Sequence, residues 1–147
     1  MVRPKIALNH MIRIDHIGIA VKDIDKSRDL FEALLGKPEL KSEMVESENV
    51  LTSFFRSERS KIELLHSTDP DNVINKFIAK RGEGIHHIAF EVKDIKESIK
   101  DLKEKGFRFI NEQPKMGADN KLICFLHPKS ANGILIELCQ SINKKKY

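Results

Sequence analysis

The sequence predicts an α+β fold built from two tandem copies of one module, each a strand, a helix and three further strands. Three observations carry this. Residues 15–31 (DHIGIAVKDIDKSRDLF) align without a gap on residues 86–102 (HHIAFEVKDIKESIKDL), with seven of seventeen positions identical. The triplet Ile62-Glu63-Leu64 recurs as Ile136-Glu137-Leu138, at an offset of 74 against 71 for the first match, so three extra residues fall in the loops of the second copy. Within each copy the apolar spacing passes from a period of two to a helical period and then to short strands.

The elements follow in chain order. The first copy, about residues 11–66, opens with strand alternation through Ile12, Ile14, Ile17, Ile19 and Val21. Asp23 then caps a helix with Ile24, Phe31, Leu34 and Leu35 on one side, and Gly36 stops it. Strands are expected at 38–46, 49–56 and 60–66. In the linker, about residues 67–83, Thr68 or Asp69 caps a helix with Pro70 at its first position; Val73, Ile74, Phe77 and Ile78 form its apolar face, and it ends before Gly82. The second copy, about residues 84–140, repeats the plan. Asp94 with Glu97 three residues on resembles a capping box, Ile95, Ile99 and Leu102 form the stripe, and Gly106 ends the helix. Strands are expected at 107–111, 121–127 and 133–140. Residues 11–141 thus read as one domain of two modules joined by a linker helix.

Composition narrows the class of protein. A chain of 147 residues with 40% hydrophobic residues suffices for one domain with its own core. Cys124 and Cys139 have neither metal-site spacing nor a secreted disulfide pattern and are expected to stay reduced, which makes the cytoplasm the expected compartment. No stretch approaches the roughly 18 uninterrupted apolar residues of a membrane span, and no apolar signal segment opens the chain, so no membrane role is expected. The net charge of +4 comes from Arg3, Lys5, Lys144, Lys145 and Lys146; without these five of its 26 basic residues, 21 stand against 22 acidic ones within residues 11–141. With Tyr147 the only aromatic residue besides phenylalanine, nucleic-acid binding is not expected. Residues 1–10, before a second methionine at Met11, are expected to be an extension without function.

Four polar residues break the apolar pattern. His16 and His87 occupy the same place in the aligned strands, and their neighbours Ile17, Ile19, Val21, Ile88, Phe90 and Val92 point to the opposite face. On the histidines' own face stand Gly18, Ala20 and Ala89, small enough to leave room above the sheet for a ligand. Glu63 and Glu137 are each flanked by aliphatic residues and face away from the apolar layer. A single strand histidine is ordinarily a core or surface residue, but all four recur at equivalent places in both copies. An approximate twofold axis between the modules brings them together, and two imidazoles with two carboxylates suit one divalent ion such as zinc, nickel, cobalt or manganese, with positions left open for water or substrate. His86, on the other face, and His10, His66 and His127 lack this pairing and are expected to be structural.

From about Ile14 to Gln140 the chain resembles the vicinal oxygen chelate superfamily and, within it, the methylmalonyl-CoA epimerases. The segments that carry the likeness are DHIGIAV at 15–21, KIELLH at 61–66, GIHHIAFEV at 84–92 and FLHPKSANGILIELCQ at 125–140. The HPKS segment followed by GILIELCQ looks like the epimerase branch, whereas bacterial glyoxalase I tends to carry an Asp-Pro-Asp-Gly turn there. The resemblance implies a paired βαβββ fold, a cupped mixed sheet around a metal site within one chain, and commonly a homodimer. It assigns the metal to His16, Glu63, His87 and Glu137. Some epimerases have glutamine where Glu63 stands, so this ligand set is nearer that of glyoxalase I.

The implied substrate is a CoA thioester, methylmalonyl-CoA, epimerised at C2 through an enolate. Its C2 hydrogen lies between a thioester and a carboxylate and is already acidic, and a metal on the flanking oxygens would spread the enolate's charge. Glu137 is the expected proton acceptor on one face. Some members have a glutamate where Thr52 stands, and a threonine cannot act as that base. The second transfer then falls to Glu48, taken here, or to Glu46 or a metal-bound water. Lys129 and Ser130 in the HPKS loop are expected to meet the substrate carboxylate or the CoA phosphates. The competing readings are glyoxalase I, a non-catalytic binding module of the same fold, and an extradiol dioxygenase, which would use two histidines and only one carboxylate.

Overall fold

The computed structural model describes residues 11–142; residues 1–10, with the extension expected there and Arg3, Lys5 and His10, lie outside the described residues, as do Lys144, Lys145, Lys146 and Tyr147. The elements are β1 (Met11–Ala20), α1 (Ile24–Leu35), β2 (Lys41–Val45), β3 (Val50–Ser57), β4 (Ser60–His66), α2 (Val73–Arg81), β5 (Gly84–Val92), α3 (Ile95–Glu104), β6 (Lys115–Gly117), β7 (Lys121–Leu126) and β8 (Ile136–Ser141). All eight strands form one mixed sheet in the order β2-β3-β4-β1-β5-β8-β7-β6. Read outward from the middle, each half runs first strand, fourth, third, second, so the duplication in sequence is a twofold repeat in space. β1 and β5 meet antiparallel at the axis, and each pairs parallel with the last strand of its own module. No helix among the described residues is long and apolar enough to cross a membrane.

One sheet face carries α1 and α3. Ile24, Phe31 and Leu35 of α1 pack with Val21, Phe55 and Leu64, and Ile95, Ile99 and Leu102 of α3 pack with Val92, Cys124, Leu126 and Leu138. Both helices are capped as the sequence predicts. Asp23 accepts from the Lys26 N–H at 3.0 Å and Asp94 from the Glu97 N–H at 3.1 Å. At the end of α3 the Gly106 N–H reaches the Lys103 carbonyl and the Phe107 N–H the Leu102 carbonyl, a paired closure that needs the positive φ of 92° at Gly106. Leu34, expected on the buried side of α1, is 69% exposed.

Several boundaries differ from the sequence expectation: β2, expected from 38, begins at Lys41, and β8, expected from 133, begins at Ile136. The linker helix starts at Val73, not near Pro70, because Asn72 is the cap: its Oδ1 accepts from the Ile74 N–H at 3.0 Å while its Nδ2 donates to the Glu48 carbonyl at 2.8 Å. Asp69 spends its carboxylate on the Asp71 N–H in the preceding turn. Residues 107–111 form no named strand. They touch β7 through one bridge, Phe109 to Leu126, and the ladder resumes only at β6, with Pro114, which lacks an N–H, in the break. Two shorter stretches thus replace one edge strand.

The sheet curls until its two edges meet. Lys115 of β6 pairs with Glu48, Asp119 in the turn after β6 pairs with both Lys41 of β2 and Lys61 of β4, and the Asp119 N–H donates to Glu43 Oε2 at 2.8 Å. α2 closes one end of the concave side, its Ile74 and Ile78 packed on Ala20, Val50 and Leu65.

Candidate metal centre

The central pairing of β1 with β5 contains three register shifts, between Met11 and Arg13, Ile14 and His16, and Gly18 and Ile19, and the last two repeat the twofold symmetry. Ile14 pairs with Phe90 and His16 with Ala89, leaving Asp15 as the extra residue; Gly18 pairs with His87 and Ile19 with Ile85, leaving His86 as the extra residue. Asp15 and His86 occupy equivalent places in the two modules. A bulge breaks the strict alternation of faces, so each extra residue comes to lie beside the histidine that follows it. His86, expected on the opposite face, therefore lines the concave cavity, its Nδ1 3.1 Å from His87 Nδ1 and its ring edge-on to Phe77.

The same pairing sets each histidine across from a small residue. Gly18 leaves no open space for ligand, contrary to expectation, because the His87 ring fills it: an ideal Cβ at Gly18 would lie 2.2 Å from His87 Cε1. Glu63 enters from β4 at the register position of Gly18, and Glu137 from β8 at that of Ala89.

His16, Glu63, His87 and Glu137 are each 5% exposed and converge on one point. His16 Nε2 lies 2.8 Å from Glu63 Oε2, 3.0 Å from His87 Nε2 and 3.2 Å from Glu137 Oε2, and His87 Nε2 lies 3.8 Å from Glu63 Oε2. One N–H on His16 can point at only one of these atoms, and the buried Glu137 Oε2 is left without a hydrogen bond of good geometry. Ligand atoms of His16, His87 and Glu137 lie within 4.8 Å of one another, a cluster that could hold a metal ion. A cation bonded to several of these atoms at once fits the set better than a proton, which serves one.

The electrostatics agree. Burial disfavours charge on His16, but the hydrogen bond to Asp15 and the closeness of the Glu137 and Glu63 carboxylates outweigh it and hold the imidazolium up to about 12. Burial pushes His87 down to about 3, with the neighbouring His16 and His86 adding to the shift against the pull of Glu63. His86 is lowered too, again mainly by burial. The four-residue centre thus concentrates negative charge around one cationic position. Behind it the Asp15 carboxylate is held well below the usual range, because contacts with His16, Lys121 and Lys61 outweigh the cost of burial.

The centre forms the floor of a cavity of about 310 Å³. Its walls are mainly apolar, from Val50, Leu65, Ile74, Ile123, Phe125 and Leu135. Thr52 lines it but donates its hydroxyl to the Glu43 carbonyl at 2.9 Å. Glu48 also lines it, half-buried, with its carboxylate on Lys115; Glu46 is exposed in the same short turn. Lys129 and Ser130 are not brought to the cavity. Lys129 is exposed, and the Ser130 hydroxyl accepts from the Arg108 N–H at 2.9 Å, fastening its own loop. Cys124 and Cys139 are free and buried, and burial raises both thiols, Cys124 to about 12.

Sequence reasoning passed over two residues of this arrangement, Asp15 and Lys121. The one available signal was that Asp15 aligns with His86, each preceding a candidate ligand.

Residues 15–125 match the Glyoxalase/Bleomycin resistance protein/Dioxygenase superfamily. The mitochondrial methylmalonyl-CoA epimerase of Dictyostelium discoideum is 39% identical over 127 residues, 86% of this chain and 76% of the relative. The ethylmalonyl-CoA/methylmalonyl-CoA epimerase of Cereibacter sphaeroides is 38% identical over 130 residues, 87% of this chain and 97% of the relative. Among solved structures, a Streptomyces coelicolor methylmalonyl-CoA epimerase variant in complex with 2-nitronate-propionyl-CoA superposes with a TM-score of 0.85 at 34% identity, covering 93% of this chain and 99% of the other.

Proposed function

The chain belongs to the Glyoxalase/Bleomycin resistance protein/Dioxygenase superfamily, on the branch of the methylmalonyl-CoA epimerases, and we propose that it interconverts the C2 epimers of methylmalonyl-CoA with one divalent ion held by His16, Glu63, His87 and Glu137. The observation that carries this reading is the convergence of two imidazole Nε2 atoms and two carboxylates on the floor of an apolar cavity, with Glu137 Oε2 left unbonded. Cobalt, manganese, nickel and zinc all suit such a nitrogen and oxygen set. When bound, the ion supplies Lewis-acid stabilisation of the negative charge that builds on the oxygens flanking C2.

The chain's own residues do the rest. Glu137, whose Oε2 has no competing donor of good geometry, takes the C2 proton on one face, leaving a planar enolate without stereochemical memory. Glu48, which also lines the cavity, is the candidate for returning a proton on the other face; it does so from its protonated form, free of Lys115, and is left as carboxylate while Glu137 keeps the proton it took, both exchanging with solvent before the next turnover. The walls of Val50, Leu65 and Phe125 keep water from the carbanion and strengthen every interaction with its charge. The same reading takes the protein as a cytoplasmic homodimer acting on a small CoA thioester.

The test is exchange. In deuterated water, metal-loaded protein is expected to exchange the C2 hydrogen of methylmalonyl-CoA while the epimers interconvert, and a chelator is expected to stop both. Absence of exchange over hours with loaded protein overturns the assignment. Turnover of the methylglyoxal–glutathione adduct, run in parallel, would assign the protein to the glyoxalase I reaction instead.

A further inference from the structure

We propose that Asp15 is the positioning residue of the metal centre, holding His16 in the Nδ1–H tautomer with Nε2 turned toward the ion, and that Lys121 keeps this carboxylate in place. The inference rests on the metal site proposed above. Asp15 is fully buried, lies outside the cavity lining, and so can act only through a neighbour. Its Oδ2 is 2.8 Å from His16 Nδ1. A carboxylate only accepts, so Nδ1 must donate, and the free lone pair of a neutral imidazole then falls on Nε2, the atom that faces Glu63, His87 and Glu137. Its Oδ1 is held by Lys121 Nζ at 2.5 Å, with Arg13 at 3.4 Å and Lys61 4.0 Å from the carboxylate. These cations meet the cost of burying its charge and leave one oxygen for His16.

Duplication makes the point sharper. The equivalent residue of the second module is His86, whose Nδ1 lies 3.1 Å from His87 Nδ1. Two neutral imidazoles in contact need one proton between them, and either ring can carry it, so His86 imposes no tautomer on His87. The two ligand histidines occupy equivalent positions but are backed by different chemistry, and only His16 has its donor atom imposed by an ionised partner.

The test uses Zn²⁺ as the probe, with affinity measured by chelator competition and the His16 tautomer read from ¹⁵N NMR of the Zn²⁺-loaded protein. Asp15→Asn keeps the shape, but its amide can present either oxygen or NH₂ to Nδ1. Zn²⁺ binding is expected to weaken by about 10–100-fold, with the Nδ1–H signature of His16 lost or mixed. Because Asp15→Asn alone strands the buried Lys121, the double variant Asp15→Asn/Lys121→Met removes both charges together, and the same loss is expected in it. Wild-type affinity in the double variant would mean that Asp15 serves only to neutralise Lys121, and wild-type affinity in Asp15→Asn would likewise overturn the inference while leaving the site intact. Failure of the wild-type protein to bind Zn²⁺ would instead overturn the metal-site reading on which it rests.

Discussion

Gly18 on β1 and His87 on β5 are paired across the molecular twofold, and the imidazole lies where any side chain at 18 would stand, 2.2 Å from an ideal Cβ. The twofold partner of this pair, His16 against Ala89, tolerates a methyl group. Gly18 is thus the seat of the His87 ring.

Gly18→Ala is therefore expected to push the His87 ring out of line. A displacement of about 1 Å at a reacting centre costs on the order of 100-fold in rate, and overpacking of this kind costs about 1–3 kcal/mol of stability. Epimerase assay and urea denaturation together check it: the variant folds but loses activity and metal. Retention of wild-type metal affinity would show that the ring moves aside without consequence.

Glu137→Gln is expected to lose more activity than its loss of metal explains, since the carboxylate is assigned both to hold the ion and to move the proton. A lost general base costs about 100- to 10,000-fold. Activity is to be expressed per bound metal ion; an unchanged value would make Glu137 a ligand only.

Metal binding is expected to release protons. His16 is raised to about 12 by its carboxylate neighbours, so near neutral pH it holds a proton that a metal must displace, whereas His87, lowered to about 3, has none to give. Raising pH lowers the cost of removing that proton, so affinity is expected to rise by roughly one log unit per pH unit between about pH 6 and 8, with about one proton released per ion. Calorimetry in buffers of different ionisation enthalpy measures this directly. A pH-independent affinity would contradict the protonated His16.

Asp119 clasps the two edges of the sheet by pairing with Lys41 and Lys61 from a backbone of positive φ, 59°. Asp119→Asn keeps that backbone at little cost, because asparagine tolerates the left-handed region, but it removes the charge shared by Lys41 and Lys61 and leaves Lys61, 7% exposed, with Asp15 at 4.0 Å as its nearest carboxylate and the Phe54 ring at 5.7 Å. The expected loss is about 1–3 kcal/mol, measured by urea denaturation. No change would mean that the edges are held by Lys115–Glu48 and the Glu43 contact alone.

Much of the fold was legible because it depends on local pattern. The duplicated segments, the caps at Asp23 and Asp94 and the stop at Gly36 follow from residue type and spacing, and the structure carries all of them. The linker cap is not legible locally, because Thr68, Asp69 and Asn72 are all good caps and the contact from Asn72 to the Glu48 carbonyl, 24 residues away, selects among them. At 107–111 Phe107 and Phe109 alternate as in a strand, but the ladder beside β7 breaks before Pro114, so local pattern and pairing disagree there.

For the site, the sequence by itself singled out four side chains as candidates to share one ion, because duplication repeats His16 as His87 and Glu63 as Glu137 on strand faces that are otherwise apolar. Tertiary structure alone decided what stands behind them. A bulge is a property of two paired strands, since it exists only where one strand carries a residue the other does not match. No period within one strand encodes it. The bulges at Asp15 and His86 turn those residues toward His16 and His87, and the curl of the sheet brings Lys121 to Asp15 from 106 residues away. The same pairing turned Gly18 from apparent empty space into the seat of His87.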